Sequence, residues 1–245
     1  MAELTGKTLI ITGASMGIGR AVALELAGRG VNLVLNARHA PALKEAAAAC
    51  GALGIEARSV SGNAAASETA ATLVVEALSL GGFYGFIHAA GVVHPGPLLW
   101  ELDPRDFEEE LESHVTAAYQ LIRAALPELI QQGAGLAVFF GSAAADALIP
   151  GVGAYSLAKA AEERLARQLA YEAPQITTFI YRPDATETRM QQQARDAAGG
   201  GAETLHRIFR SYKERGELST PEKEARALVQ ILMHNPRRFH GKIAE

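Results

Sequence analysis

Short apolar runs alternate with segments whose apolar residues recur at helical spacing. Residues 7–12, KTLIIT, form an uninterrupted run that is typical of a strand buried on both faces. Helical periodicity predicts a long helix at 104–132, in which Pro127 should introduce a kink or a break, and another helix at 152–172. Further strands are predicted within the segments 31–37, 54–62, 83–91, 136–142 and 175–183.

This order of strand and helix implies a parallel sheet with helices on both faces. We predict a single α/β domain over residues 1–245, with a doubly wound sheet of about seven strands. No repeat or linker divides the chain. Residues 184–216 are rich in Gln, Arg and Gly, and we expect them to form a mobile flap rather than core.

Composition narrows the class of protein. Hydrophobic residues make up 49% and charged residues 20% of the 245 residues, and the net charge of -4 offers no basic field for nucleic acid. No apolar stretch approaches the roughly 18 residues of a membrane span, and the start of the chain, with Glu3, does not resemble a signal peptide. We therefore expect a cytoplasmic protein without membrane or nucleic-acid partners.

Cysteine and histidine usage gives no indication of a metal site. The single cysteine, Cys50, excludes an internal disulfide, and its alanine-rich surroundings predict a buried helical position. Five histidines are scattered along the chain without ligand spacing, and we expect no metal: His39, His94, His206, His234 and His240.

A glycine-rich loop, TGASMGIG at 12–19, follows the first predicted strand and opens the first helix. Such glycines allow a tight turn and close approach to a pyrophosphate, which the helix N-terminus then binds. An ordinary strand–helix turn is the alternative, but the position favours dinucleotide binding. The candidate residues are Gly13, Ser15, Met16, Gly17, Ile18 and Gly19.

The second strand ends in Ala37 and Arg38. An acidic residue here would bind the 2′-hydroxyl of NAD, whereas an arginine accommodates the 2′-phosphate of NADP. The missing carboxylate and the guanidinium favour NADP(H), although Arg38 could also be a solvated surface charge.

Tyr155 and Lys159 are four residues apart on a predicted helix and therefore share one face. Ser142 ends the fifth predicted strand, so the three side chains should converge at the rim where open α/β sheets bind ligands. A partly buried tyrosine beside a snorkelling lysine is the structural alternative.

These motifs resemble the short-chain dehydrogenase/reductase family, whose fold is a single-domain Rossmann fold. The resemblance implies that Tyr155 is the general acid, that Lys159 binds the nicotinamide ribose and favours the phenolate, and that Ser142 polarises a carbonyl. It also implies a homodimer or homotetramer. By the same resemblance, the remaining cofactor-binding positions are Asn63, Ala64, Ala90, Gly91, Pro183 and Thr188.

Three positions depart from the family pattern. His88 and Ala89 stand where the family has two asparagines, so the brace at that strand end must differ. His114 replaces the fourth catalytic residue, an asparagine, and either relays protons or merely packs. Asp184 replaces a glycine beside the nicotinamide, where a carboxylate would favour the oxidised, positively charged ring.

The expected function is NADPH-dependent reduction of a ketone, diketone or aldehyde. The alternative is a weakened NADP(H)-binding sensor or regulatory protein on the same fold. Sequences such as RPDATETRMQQQARD resemble the sepiapterin reductase and benzil reductase-like branch. An apolar or aromatic carbonyl substrate is suggested by Val92, Pro95, Trp100, Leu148 and Met190.

Overall fold

Seven parallel strands form one sheet in the computed structural model, which describes residues 4–244; Glu3 lies outside the described residues. Each predicted strand is present, with its ends at most three residues from the expected ones. The strands are β1 (Thr8–Thr12), β2 (Asn32–Ala37), β3 (Ala57–Ser61), β4 (Phe83–His88), β5 (Gly135–Phe140), β6 (Ile176–Tyr181) and β7 (Ile243–Ala244).

The sheet order is β3-β2-β1-β4-β5-β6-β7, so the doubly wound fold is confirmed. The order reverses between β1 and β4, and ligands of such sheets bind outside the carboxyl ends at that point. The helices are α1 (Gly17–Ala27), α2 (Ala40–Gly51), α3 (Ser67–Leu80), α4 (Pro104–Leu111), α5 (Ala117–Gln131), α6 (Gly153–Glu172), α7 (Arg189–Arg195), α8 (Ala202–Glu214) and α9 (Pro221–His234).

Alternate residues of β1 supply the two layers of core. Leu9 and Ile11 pack into the cluster shared with α1, α2 and α9, whereas Ile10 packs into the cluster shared with α3, α5 and α6. All five residues of β1 are buried, which explains its uninterrupted apolar run.

The long helix predicted at 104–132 is interrupted at a different place from the one expected. A π-helical turn, Glu112–Thr116, separates α4 from α5, and Pro127 lies inside α5 without ending it. π-turns occur frequently at functional sites because they redirect side chains. Here the turn carries His114, which is buried.

The expectation that 184–216 lies outside the core was wrong for its two helices, α7 and α8. Leu205 on α8 is fully buried in a small apolar cluster with Val93 and Val152. The segment is also attached to neighbouring loops, since Gly201 N–H donates to the Gly96 carbonyl at 2.8 Å.

Composition led to two expectations that concern the described residues: the burial of Cys50, and the lack of a membrane-spanning segment. Cys50 is buried in α2, as predicted, and burial raises the pKa of its thiol to about 11. Between residues 4 and 244, no helix combines the length and the apolar character needed to cross a bilayer.

Candidate active site

A cleft of about 840 Å³ runs along the carboxyl ends of the central strands, within the usual range for ligand sites. It joins the glycine loop, the ends of β2 and β4, and the start of α6. The predicted cofactor residues all line it: Gly13, Ser15, Met16, Gly17, Ile18, Gly19, Ala37, Arg38, Asn63, Ala64, Ala90, Gly91, Tyr155, Lys159, Pro183 and Thr188.

The glycine loop has the geometry of an anion cradle. Gly13 has a φ of 69°, and a Cβ there would lie 2.6 Å from the Ala89 carbonyl oxygen. A Cβ at Gly19 would lie 2.3 Å from the Gly13 oxygen. No side chain caps the N-terminus of α1, and no acidic residue lies in its first turn. The free N–H groups and the helix dipole therefore fit a dinucleotide phosphate.

Glu109 and Asp106 of α4, which the sequence did not indicate as part of the site, lie close to Arg38 and His94. Arg38 forms an ion pair with Glu109 of α4, and His94 Nε2 lies 2.9 Å from the other oxygen of that carboxylate. His94 Nδ1 lies 3.6 Å from Asp106. The expectation that His94 stands isolated was therefore wrong, and Arg38 is engaged by a carboxylate. Hydrogen bonding from Arg38 lowers the pKa of the Glu109 carboxyl.

Tyr155 lies in the first turn of α6, and Lys159 lies one turn later on the same face. The Lys159 ammonium is 6.0 Å from the centre of the Tyr155 ring. Ser142 follows β5 as predicted, but it does not line the cleft, whereas its neighbour Gly141 does. The Ser142 hydroxyl accepts a hydrogen bond from Ala144 N–H at 3.1 Å and caps a short 3₁₀ turn.

Lys159 is buried and bound on two sides. Its Nζ donates to the Phe140 carbonyl at 2.6 Å and to Glu162 Oε2 at 2.8 Å. Glu162 is itself fully buried. Burial alone would lower the pKa of the Lys159 ammonium, but the Glu162 carboxylate, together with Tyr155 and Glu163, outweighs that effect and raises it. The same pairing opposes the effect of burial on Glu162 and lowers the pKa of its carboxyl.

The two substituted histidines lie around Glu162. His114 Nε2–H donates to the Val92 carbonyl at 2.9 Å, and His114 Nδ1 lies 3.4 Å from Glu162 Oε2. His88 shares a 2.9 Å hydrogen bond with Thr12, which is the altered brace at the end of β4. Burial lowers the pKa of His88 to about 4. His114 therefore contacts charged groups at the site, rather than being an isolated packing residue.

Asp184 does not occupy the place expected of it. Its carboxylate is exposed, lies 3.9 Å from Lys223 Nζ, and is absent from the cleft lining. Its backbone φ is not positive, so no left-handed conformation is required there. The predicted effect of Asp184 on a bound nicotinamide has no support in this geometry.

Comparison with known proteins identifies the family. The short chain dehydrogenase model matches residues 7–199, most of the chain. The chain belongs to this family. The 2,5-dichloro-2,5-cyclohexadiene-1,4-diol dehydrogenase of Sphingobium indicum is 30% identical over 236 residues, covering 95% of this chain and 92% of the relative.

Solved structures of similar proteins agree with this short-chain dehydrogenase fold. The KRED1-Pglu enzyme superposes with a TM-score of 0.86 at 25% identity, covering 97% of this chain and 100% of that one. An alcohol dehydrogenase from Thermococcus sibiricus, complexed with 5-hydroxy-NADP, gives 0.80 at 26% identity and covers 97% and 94%. The chain is an oxidoreductase of the short-chain dehydrogenase family, whose members bind a nicotinamide cofactor.

Glu162 is a further residue of this short-chain dehydrogenase site that was not predicted from the sequence. A weak signal was present, because Glu162 follows Lys159 by three residues and so lies on the same helical face. The substitutions at 88 and 114 gave no indication of a common carboxylate, since the three residues are far apart in the chain.

Proposed function

We propose that this protein is an NADPH-dependent reductase that converts the carbonyl of a ketone, diketone or aldehyde to an alcohol. The observation that carries the proposal is the placement of Tyr155 and Lys159 on successive turns of α6, both lining the cleft that the glycine loop opens.

The residues have distinct roles in this reaction. A bound nicotinamide dinucleotide would supply the hydride. The Tyr155 hydroxyl donates its proton to the carbonyl oxygen as negative charge develops there. The Lys159 cation stabilises the resulting phenolate; at about 6 Å and an effective dielectric of about 20, the attraction is on the order of 3 kcal/mol. The Ser142 hydroxyl accepts from Ala144 N–H and keeps its own hydrogen, but it lies outside the cleft lining and has to turn toward the cleft to donate to the carbonyl.

The preference for NADPH rests on Ala37 and Arg38. Ala37 offers no carboxylate to repel a 2′-phosphate, and the Arg38 guanidinium is 60% exposed at the cleft edge. The similar alcohol dehydrogenase bound to 5-hydroxy-NADP supports this choice. To bind a 2′-phosphate, the Arg38 guanidinium gives up its ion pair with the Glu109 carboxylate and pairs with the phosphate instead.

The substrate end of the cleft favours an apolar or aromatic carbonyl compound. Tyr155 and Met190 pack against the apolar cluster around Val93. Two residues expected to line the pocket do not, because Leu148 is fully exposed and Trp100 is 81% exposed. Pro95 also lies outside the cleft lining. The sepiapterin reductase and benzil reductase-like branch, supported by the sequence after β6, remains part of this proposal.

A screen of NADPH oxidation across ketones, diketones and aldehydes tests the proposal. We expect Tyr155→Phe to reduce turnover by at least about a hundredfold, because only the proton donor is removed. The dissociation constant for NADPH should change little, since the ring still packs. Retained turnover in Tyr155→Phe would show that the acid lies elsewhere.

A sensor or regulatory protein with weakened turnover is the second candidate. The observation favouring it is that Phe140 and Glu162 occupy two of the three N–H donors of Lys159. Tight NADPH binding without oxidation of NADPH by any compound in the screen would support the sensor over the reductase.

We also propose that the protein is a cytoplasmic homodimer or homotetramer. Exposed apolar side chains on α5 and α6 support an association through these helices. They include Tyr119 and Ile130 on α5, and Leu157 and Tyr171 on α6. Sedimentation equilibrium would give the number of subunits, and a monomer at micromolar concentration would contradict the proposal.

A further inference from the structure

Glu162 connects the catalytic lysine to a buried histidine through a single oxygen atom. Oε2 lies 2.8 Å from Lys159 Nζ and 3.4 Å from His114 Nδ1. All three side chains are at most 5% exposed. A carboxylate at this depth depends on these partners for its stabilisation.

A count of hydrogens shows that one proton is missing between Glu162 and His114. A carbonyl only accepts, so His114 Nε2, 2.9 Å from the Val92 oxygen, must carry a hydrogen. A neutral imidazole would then present the bare lone pair of Nδ1 to the carboxylate oxygen. Neither His114 Nδ1 nor Glu162 Oε1 has a hydrogen-bond partner among the described residues, so the 3.4 Å approach of Nδ1 to Oε2 is a close contact and not a formed hydrogen bond. The contact is favourable only when a proton lies between Nδ1 and Oε2.

We propose that Glu162 and His114 form a buried proton store for Lys159, with Glu162 as a positioning residue for the lysine. The inference rests on the proposed reductase function. When the Tyr155 phenolate forms, Lys159 returns one proton to it and becomes a neutral amine. The stored proton then passes from His114 Nδ1 to Glu162 Oε2 and on to Lys159 Nζ. His114 lines the cleft and regains its proton from solvent.

Glu162, His114 and Lys159 form the proton store, and the neighbouring charged groups do not take part in it. Glu163 of α6 is also buried, but it binds Arg182 through two 2.7 Å hydrogen bonds and therefore does not compete. His88 of β4 lies 4.0 Å from Glu162 Oε1, and burial keeps it neutral near pH 7. Tyr155 packs edge-on against His114, with ring centres 5.4 Å apart.

Histidine ¹⁵N chemical shifts of the cofactor-free protein test the store without any turnover. The signals are assigned by their loss in His114→Asn. Burial and the Lys159 cation lower the pKa of His114, while Glu162 opposes them. We therefore expect both nitrogens of His114 to carry protons only at the acidic end of a titration from about pH 4 to 9, and Nδ1 to lose its proton within that range. In Glu162→Gln the midpoint should fall by at least about one pH unit, a tenfold loss of proton affinity.

The control is Glu172→Gln, the same change at an exposed position of α6, which should leave the midpoint of His114 unchanged. An unchanged midpoint in Glu162→Gln would overturn the proposal. If that variant does not fold, the wild-type titration decides alone, because a His114 whose Nδ1 stays unprotonated throughout also overturns it.

The pH profile of turnover links the store to catalysis. In the wild type, kcat for reduction should fall as pH rises through the His114 midpoint, and Glu162→Gln should move that fall to lower pH by the same amount. If the pH profile of kcat does not move with the His114 midpoint, Glu162 and His114 form only a structural ion pair. Complete absence of wild-type turnover would instead refute the reductase function, while the ¹⁵N titration would still decide whether the store exists.

Discussion

Arg38 and Glu109 form an ion pair at the cleft, and this pair bears on the proposed preference for NADPH. Glu109 also contacts His94, so the carboxylate is held from two sides. A 2′-phosphate placed beside Arg38 would therefore approach a negative charge as well as a positive one. At this scale, the proposed preference for NADPH depends on Glu109 of α4 as well as on Arg38.

We expect Glu109→Gln to increase the affinity for NADPH relative to NADH by about three- to tenfold. The change frees the Arg38 guanidinium and removes a charge that repels phosphate, and the partial exposure of the pair limits the effect to about 1 kcal/mol. Fluorescence titration of both cofactors measures the ratio.

Glu108→Gln, an exposed neighbour on α4, is the matched control for that ratio. Arg38→Ala should remove the preference for NADPH. Equal affinities of the wild type for the two cofactors would refute the assignment of Arg38.

The elements that carry the site show how helices position its chemistry. Helix α6 places Tyr155, Lys159 and Glu162 on one face through spacings of four and three residues. The π-turn between α4 and α5 brings His114 against the same face. Helix α6 and the π-turn thereby bring these charged and polar side chains together inside an apolar layer.

Pro127 gives a prediction about α5. It is exposed and lies inside the helix, where it has no N–H to donate to the Arg123 carbonyl. We expect Pro127→Ala to raise the free energy of unfolding by about 1–2 kcal/mol. This is the helix-propensity difference of about 3 kcal/mol less the entropy that proline removes from the unfolded chain.

Urea unfolding measures this effect, with Gln131→Ala as an exposed control on the same helix whose stability should change by less than about 0.5 kcal/mol. A loss of stability in Pro127→Ala would mean that the proline ring makes contacts that the monomer does not show.

The stability of the whole molecule should depend on pH through two buried groups. Burial raises the pKa of the Glu110 carboxyl to about 7, so its contribution to stability is present below about pH 4.5 and is lost as pH rises through 7. His88 acts oppositely: burial lowers its pKa to about 4, and stability is lost as pH falls from about 6.5 to 4. The protein should be most stable between these limits.

We expect Glu110→Gln to become more stable relative to the wild type as pH rises from 5 to 8, by on the order of 2 kcal/mol. Glutamine stays neutral and keeps the oxygen that accepts from His94 N–H. Any cost of its unpaired amide does not vary with pH. Urea unfolding at the two pH values gives the difference, with Glu108→Gln as control; a difference independent of pH would contradict the raised pKa.

The sequence alone determined the features that depend on neighbours along the chain. The alternation of strands and helices, the glycine loop beside β1, and the spacing of Tyr155 and Lys159 follow from local periodicity and backbone geometry. The doubly wound sheet could be predicted because parallel connections allow few topologies. For the same reason, the sequence could predict the positions that line the cleft.

Only the tertiary structure decided which distant residues share a buried charge. Glu162 meets His114 and His88 across three elements, and Arg38 meets Glu109 across the cleft. It also showed that Asp184 faces Lys223 and that Leu205 belongs to a core cluster. These contacts depend on how helices pack on the sheet and where the π-turn falls, which no local pattern specifies. The strength of each charge then follows from burial, which arises only when the chain is folded.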